Sequence, residues 1–306
     1  MPHDSSAIHT LVMRARRRDA AFAVLGLACM MIGVLTLGAL LWGLVEDGAA
    51  RLDWGFIRNF PSRHAERAGI VSALAGSSLV MLITAATAIP LGVAAGIYLE
   101  EYARRSPLTA LIEINVTNLV GVPSIVYGLL ALGLFVYGLG FGQSILSAGL
   151  TLALMILPVI IVATREAIRA IPATIREGAY ALGATRWQLV RDHILPYSLG
   201  GTLTGVIIGL ARAIGETAPV ITIGALTFIA FLPPAPLSGE FPFLSFEWLK
   251  SPFTVMPIQM FNWMSRPQAA FQHNAAAAGI VLVLMTLAMN GAAIWLRLRF
   301  RKRIRW

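Results

Sequence analysis

Residues 200–219 read GGTLTGVIIGLARAIGETAP, and the apolar run they begin continues to Leu232. Between Gly200 and Leu232 the only ionisable side chains are Arg212 and Glu216. A run of this length predicts a membrane-spanning helix, because hydrocarbon forces every backbone polar group to be satisfied internally. Gly201, Gly205 and Gly209 recur every four residues and are continued by Ala213. This spacing lines small residues on one face and lets a second helix pack closely. At about 100° per residue, Arg212 projects about 60° from the Gly209 direction, beside that seam and toward a bundle interior. Arg212 and Glu216 are four apart, so a continuous helix would carry both on one face. About 24 Å of helix separates Pro196 from Arg212, which puts the pair deep in the membrane.

Working outward, apolar runs at about 20–45, 70–99, 116–138, 144–164 and 274–296 join the run at 198–232 to give six expected spans. The chain of 306 residues is 57% hydrophobic and 13% charged. A soluble domain is about 45–50% apolar and about 25% charged. The fold expected is therefore all-α: a polytopic membrane protein with six transmembrane helices. No alternating ten-residue segments of the kind that build a membrane β-barrel are present. The first run, about 26 residues, exceeds the roughly 7–15 apolar residues of a signal peptide and reads as an anchor. The expected organisation is a polar tail (1–19), an anchor helix (20–45), a five-helix core (68–296) and a basic tail (297–306). An inside loop (165–197) and an outside loop (233–270) interrupt the core.

The formal charge of +9 is placed asymmetrically. With both termini in the cytoplasm, 17 of the 24 basic residues fall on that side. They include Arg14 and Arg16–Arg18 before the first span, five arginines in the 165–197 loop, and the tail from Arg297. This is the positive-inside pattern, with contact to anionic membrane lipid a secondary role, and it argues against nucleic acid as the partner. A single cysteine, Cys29, permits no intrachain disulfide, and five histidines form no pair at metal-ligand spacing. The outside loop is rich in aromatics: Phe241, Phe243, Phe246, Trp248, Phe253, Phe261 and Trp263. Such residues suit a loop lying on the headgroups or docking an outside partner.

An arginine at the centre of a membrane helix costs roughly 2.5–3.5 kcal/mol on insertion scales, partly offset by a paired glutamate. Two readings follow: a structural ion pair pinning helices, or a site on the path of an anion. Arginine's planar fork of donors suits tetrahedral oxyanions, phosphate above all, and Thr217 adds a hydroxyl. Pro219 lacks the N–H that would reach the Gly215 carbonyl, which predicts a kink. A secondary transporter using Glu216 as proton carrier, or an intramembrane enzyme, would have to be built on the same pair. The enzyme lacks a nucleophile and base at depth. A phosphate-cradling P-loop needs Gly-Lys followed by Ser or Thr, and neither Lys250 nor Lys302 follows a glycine.

The inside loop contains REGAYALGATRWQLVRDHILP, residues 176–196. Ile175, Ala179 and Leu182 form one helical stripe, Gly183 permits a turn, and a second helix is expected from Thr185 to Ile194, ended by Pro196. This stretch resembles the EAA loop of ABC-importer permeases, matching at Glu177, Ala179, Gly183, Leu195 and Pro196; Gly178 and His193 depart from the pattern. Glycine at 178 weakens a helix by about 1 kcal/mol relative to alanine. PLGVAAGIYLEEYA (90–103), NLVGVPSIVYGLLALGLFV (118–136), TLALMILPVIIVATREAIRAIP (151–172) and SPFTVMPIQMFNW (251–263) extend the resemblance from about 68 to 296, to the PstA family of phosphate ABC-importer permeases. The resemblance implies a type I importer (MetI-like) fold in a bacterial plasma membrane. It implies a heterodimer with a PstC-type permease, two copies of a PstB-type ATPase that binds ATP and Mg, and a PstS-type phosphate-binding protein outside. By the same resemblance Arg212 and Glu216, with adjacent Thr217, are associated with phosphate passage. Glu177, Ala179, Gly183 and Trp187 would couple to the ATPase, and no cofactor is expected in this chain.

Overall fold

The computed structural model of the chain describes residues 5–104, 106–235 and 245–301, in which every regular element is helical. Helix α1 (Ser5–Gly48) is followed by a short α2 (Trp54–Arg58) and then α3 (Val71–Ile97), which ends in a π-helical turn over Tyr98–Tyr102. Next come α4 (Pro107–Leu119), α5 (Ser124–Ala131), with a π-helical extension to Gly138, and α6 (Ile145–Arg169). The loop helices α7 (Ala173–Ala181) and α8 (Arg186–Leu189) lead through a π-turn into α9 (Leu195–Gly215). Then follow α10 (Ala218–Thr222), α11 (Met256–Met264) and α12 (Ala269–Arg301).

Five helices are long and apolar enough to cross a membrane, and α4 with α5 makes a sixth crossing only as a bent pair. The expected third span, 116–138, is therefore not one helix. Its halves, Pro107–Leu119 and Ser124–Gly138, meet at 109°. Ser106 caps α4 and Pro107 opens it, with the ring where no N–H is needed. The Gly121–Val122–Pro123 stretch then stops α4, and Pro123 becomes the N-cap of α5.

Small residues set the core spacing. α3 and α6 run parallel, with Gly92 against Ile160 and Gly96 against Thr164. α9 returns antiparallel on α6: Gly201 faces Ala167, Gly205 faces Ala163, and Gly209 lies in ordinary contact with Ile156. A methyl at 201 would come within 2.6 Å of the Ala167 methyl, so α6 and α9 approach as only glycine and alanine allow. Buried Val80, Met155, Ile156, Ile160, Val206 and Leu210 fill the space between the three helices.

Two smaller clusters close the ends. Phe56, Ile70, Trp263 and Phe271 pack where α3 begins, and Ile168, Ile171, Ala179, Leu189 and Ile194 pack around α7–α8. Of the outside-loop aromatics, Trp248, Phe253 and Trp263 are buried in the core, while Phe246 and Phe261 are exposed. Phe241 and Phe243 lie outside the described residues. The loop is thus partly core rather than a strap on the headgroups, because α11 folds back against α3 and α12.

α1 is helical from Ser5, so the polar stretch up to residue 19 continues the anchor helix rather than forming a separate tail. Its side chains from 11 to 42 are exposed, and it meets the core near its end, where Gly48 sits on the Ala276–Ala277 backbone of α12. At the other end of the chain α12 runs on to Arg301, into the basic tail.

Candidate functional site

Arg212 occupies the last turn of α9 and Glu216 follows as its C-cap, with extended backbone (φ −76°, ψ 131°). The expected helical pair is therefore made across a helix end. The helix stops at Gly215, Glu216 and Thr217 form a break, and α10 starts at Ala218. Even so, the Glu216 side chain folds back, and Arg212 Nε donates to Glu216 Oε1 at 3.3 Å. Pro219 does not kink a continuous helix. It sits in the first turn of α10, where its missing N–H costs nothing. Beyond Thr222 no helix continues the expected span to 232. Gly224 turns the chain with φ +93°, and Leu226 N–H donates to the Phe253 carbonyl.

A guanidinium carries five N–H donors. Only Nε of Arg212 is engaged by protein among the described residues, which leaves both terminal nitrogens free. The Arg212 side chain is 35% exposed and Glu216 is 19% exposed, so the arginine is open on one side while the glutamate is tucked beneath it. Behind Glu216 a cavity of about 10 Å³ is lined by Ser77, Val80, Ala213 and Val220. That is about the size of one water. The Thr217 hydroxyl makes no cap hydrogen bond and lies next to the pair in sequence.

Sequence reasoning missed the second wall. The α4–α5 bend packs against the α9–α10 break, and Gly128 lies so close to Pro219 and Thr222 that any side chain there would collide. Tyr127 donates its hydroxyl to the Leu119 carbonyl at 2.7 Å, satisfying an orphan acceptor at the end of α4 and holding the bend. Two interrupted helices thus meet at one charged point. Irregular backbone of this kind is tolerated at membrane depth where it lines a cavity or is buried in protein.

The α7–α8 loop is the second expected site. Glu177 is exposed, Leu182 is 91% exposed and Trp187 is 61% exposed, whereas Ala179 is buried against Ile168, Leu189 and Ile194. The loop therefore shows Glu177, Leu182, Gly183 and Trp187 outward and uses Ala179 to seat itself. Leu182 leaves the expected stripe because it is the C-cap, followed by Gly183 at φ +80°. Thr185 and Gln188 form a capping box at the start of α8. Pro196 does not end the second helix. The π-turn at Val190–Ile194 absorbs it, and α8 runs on into α9.

An all-helical membrane core around a charged break, with a two-helix loop at one end, defines the class: a polytopic transport permease. The chain belongs to the family of binding-protein-dependent transport system inner membrane components, whose model matches residues 88–306. Phosphate transport system permease protein PstA of Yersinia pestis is 31% identical over 283 residues, covering 90% of this chain and 88% of the relative. Probable ABC transporter permease protein YqgI of Bacillus subtilis is 30% identical, covering 93% and 96%. Among solved structures, a bacterial ABC transporter involved in import of the acidic polysaccharide alginate aligns with a TM-score of 0.62 at 13% identity, over 94% of this chain and 98% of that one. That likeness establishes the fold, which is of the ABC-importer permease type. The protein is thus a multi-pass inner-membrane permease subunit.

Proposed function

We propose that this permease subunit carries inorganic phosphate across the inner membrane as part of an ATP-driven importer. The observation that carries the reading is Arg212: a guanidinium at a helix break, held through Nε by Glu216 and presenting its terminal donors on an open side. The names of the PstA relatives supply the substrate. In the empty state Glu216 holds Arg212 in place. As the path opens, the free N–H groups bind phosphate oxygens, each charge-assisted hydrogen bond contributing about 1.5–3 kcal/mol. The open side of the arginine is where a PstC-type partner permease closes the path. ATP and Mg belong to a separate PstB-type ATPase, present in two copies and docked on the exposed face of α7–α8. A PstS-type binding protein delivers phosphate at the opposite end, and both termini face the cytoplasm.

The test is uptake of labelled phosphate into ATP-loaded vesicles holding the full complex, wild type beside Arg212→Gln, with ATP hydrolysis recorded in the same sample. Loss of two such hydrogen bonds predicts a fall in uptake of about 100-fold or more, with assembly and hydrolysis intact. Normal uptake by the variant would make the pair a structural clamp. Unlabelled sulfate or arsenate competing as well as phosphate would assign the path to oxyanions in general.

A further inference from the structure

The sequence block LEEYA at residues 99–103 ends α3 with two adjacent carboxylates, and the proposed path uses neither. They sit in the π-helical turn Tyr98–Tyr102 and point to different partners. Glu101 takes the loop. Its Oε1 accepts from Arg176 Nε at 3.1 Å and from Nη2 at 2.8 Å, and the carboxylate is only 8% exposed. Arg176 lies on α7, and its remaining donors go to the Ile171 and Ile168 carbonyls at the end of α6, at 2.9 and 3.1 Å. One guanidinium therefore binds α7 to α3 and α6 at once.

Glu100 takes the other direction. It accepts from Arg169 Nε at 3.1 and 3.0 Å and lies 3.6 Å from Arg165 Nε. Arg165, 5% exposed, reaches Glu113 Oε2 on α4 at 2.7 Å. Its contact is an ion pair off the N–H axis rather than a hydrogen bond, so it is held by charge. α4 buries none of its own side chains and packs on α6. Two charge clusters, joined through the adjacent Glu100 and Glu101 of one π-helical turn, thus lie between the outward-facing loop and the helix whose bent partner, α5, walls the Arg212 site.

We propose that Glu101 and Arg176 are positioning residues for energy coupling: they pass displacement of the α7–α8 loop to α3, and Glu100 beside them passes it through Arg165 and Arg169 to α4. The inference rests on the reading that α7–α8 docks an ATPase. The two clusters transmit movement because neither buried member, Glu101 at 8% exposure or Arg165 at 5%, can shift singly without leaving a charge unpaired in a poorly hydrated place. The Arg191–Asp192 pair, on the π-turn after α8, is exposed and takes no part.

The test uses the full complex in vesicles with the double variant Glu101→Leu/Arg176→Met. Apolar replacement of both partners keeps the volume filled and leaves no orphan charge, so folding is preserved where either single change would endanger it. Uptake and hydrolysis are read together. The expected result is retained assembly and hydrolysis with transported phosphate per ATP reduced at least about fivefold. Arg176→Lys, which keeps the charge, retains most of that ratio. An unchanged ratio, or uptake and hydrolysis falling in parallel, overturns the proposal in favour of a merely structural pair. A second readout needs no substrate: ATP-induced change in hydrogen exchange, which should spread from α7 to residues 96–102 in the wild type and stay within α7 in the double variant. Spread in both would overturn the proposal even if the transported ion were not phosphate. Wild-type vesicles that take up no phosphate, yet show that spread being lost in the variant, would leave the coupling standing and sink the substrate assignment.

Discussion

Gly205→Ala adds one methyl at the α6–α9 seam, where it would overlap the methyl of Ala163, with the Val159 carbonyl 3.7 Å away. The obstacle is a Cβ fixed to a helix rather than the tip of a flexible side chain, so the helices themselves must part. Overpacking of this kind costs about 1–3 kcal/mol, and the better helix propensity of alanine returns up to about 1 kcal/mol. At the middle of each range the net loss is about 1.5 kcal/mol, or roughly 3–6 °C in Tm at about 2–4 °C per kcal/mol. Arg212 lies about 10 Å further along the same helix, so parting α9 from α6 also moves the guanidinium. The assay is thermal unfolding of the purified complex beside phosphate uptake, for Gly205→Ala, Ala163→Gly and the double variant. The double variant moves the methyl from one helix to the other and restores the fit, so its Tm and uptake should return most of the way to wild type. A single variant as stable as wild type, or a double variant no better than the single, would mean that the two helices do not meet at this pair.

Gly183→Ala should weaken ATPase binding about 5–30-fold, because alanine at φ +80° carries about 1–2 kcal/mol of strain; nothing crowds the site, so the effect is purely one of backbone. Gly178→Ala, on an exposed helix with open space around it, should move stability the other way by up to about 1 kcal/mol, read as a raised Tm. Trp187→Ala should abolish or sharply reduce ATPase pull-down while shifting stability by no more than about 0.5 kcal/mol, since the ring is exposed in the isolated chain.

Apolar length placed the crossings because hydrocarbon imposes it, and the four-residue glycine spacing at 201–209 located the face that meets α6. Interruptions were harder to read. Pro90 and Pro158 lie inside intact helices while Pro123 begins a new one, so proline alone does not announce a break. The glycine two residues before Pro123 was the better signal, since it lowers the cost of leaving the helix before the ring forbids returning. Arg212 and Glu216 were legible as a pair from spacing, yet that spacing implied a continuous helix; the contact survives because the glutamate side chain can reach back from an extended residue. The inward turn of Ala179 followed from its small apolar side chain. Glu100, Glu101 and Glu113 gave no local pattern, because their partners are 52 to 75 residues away and only the folded core brings them together.

For α1, nearly all positional information is concentrated at one end. The side chains from 11 to 42 are all exposed, whereas Gly48 is pressed against the backbone of Ala276 and Ala277. Over evolutionary time, the apolar residues of the anchor are thus free to drift among leucine, valine and phenylalanine, provided any partner chain that covers them drifts in step. Gly48 has no such latitude: even an alanine there would push the whole rod off its seat.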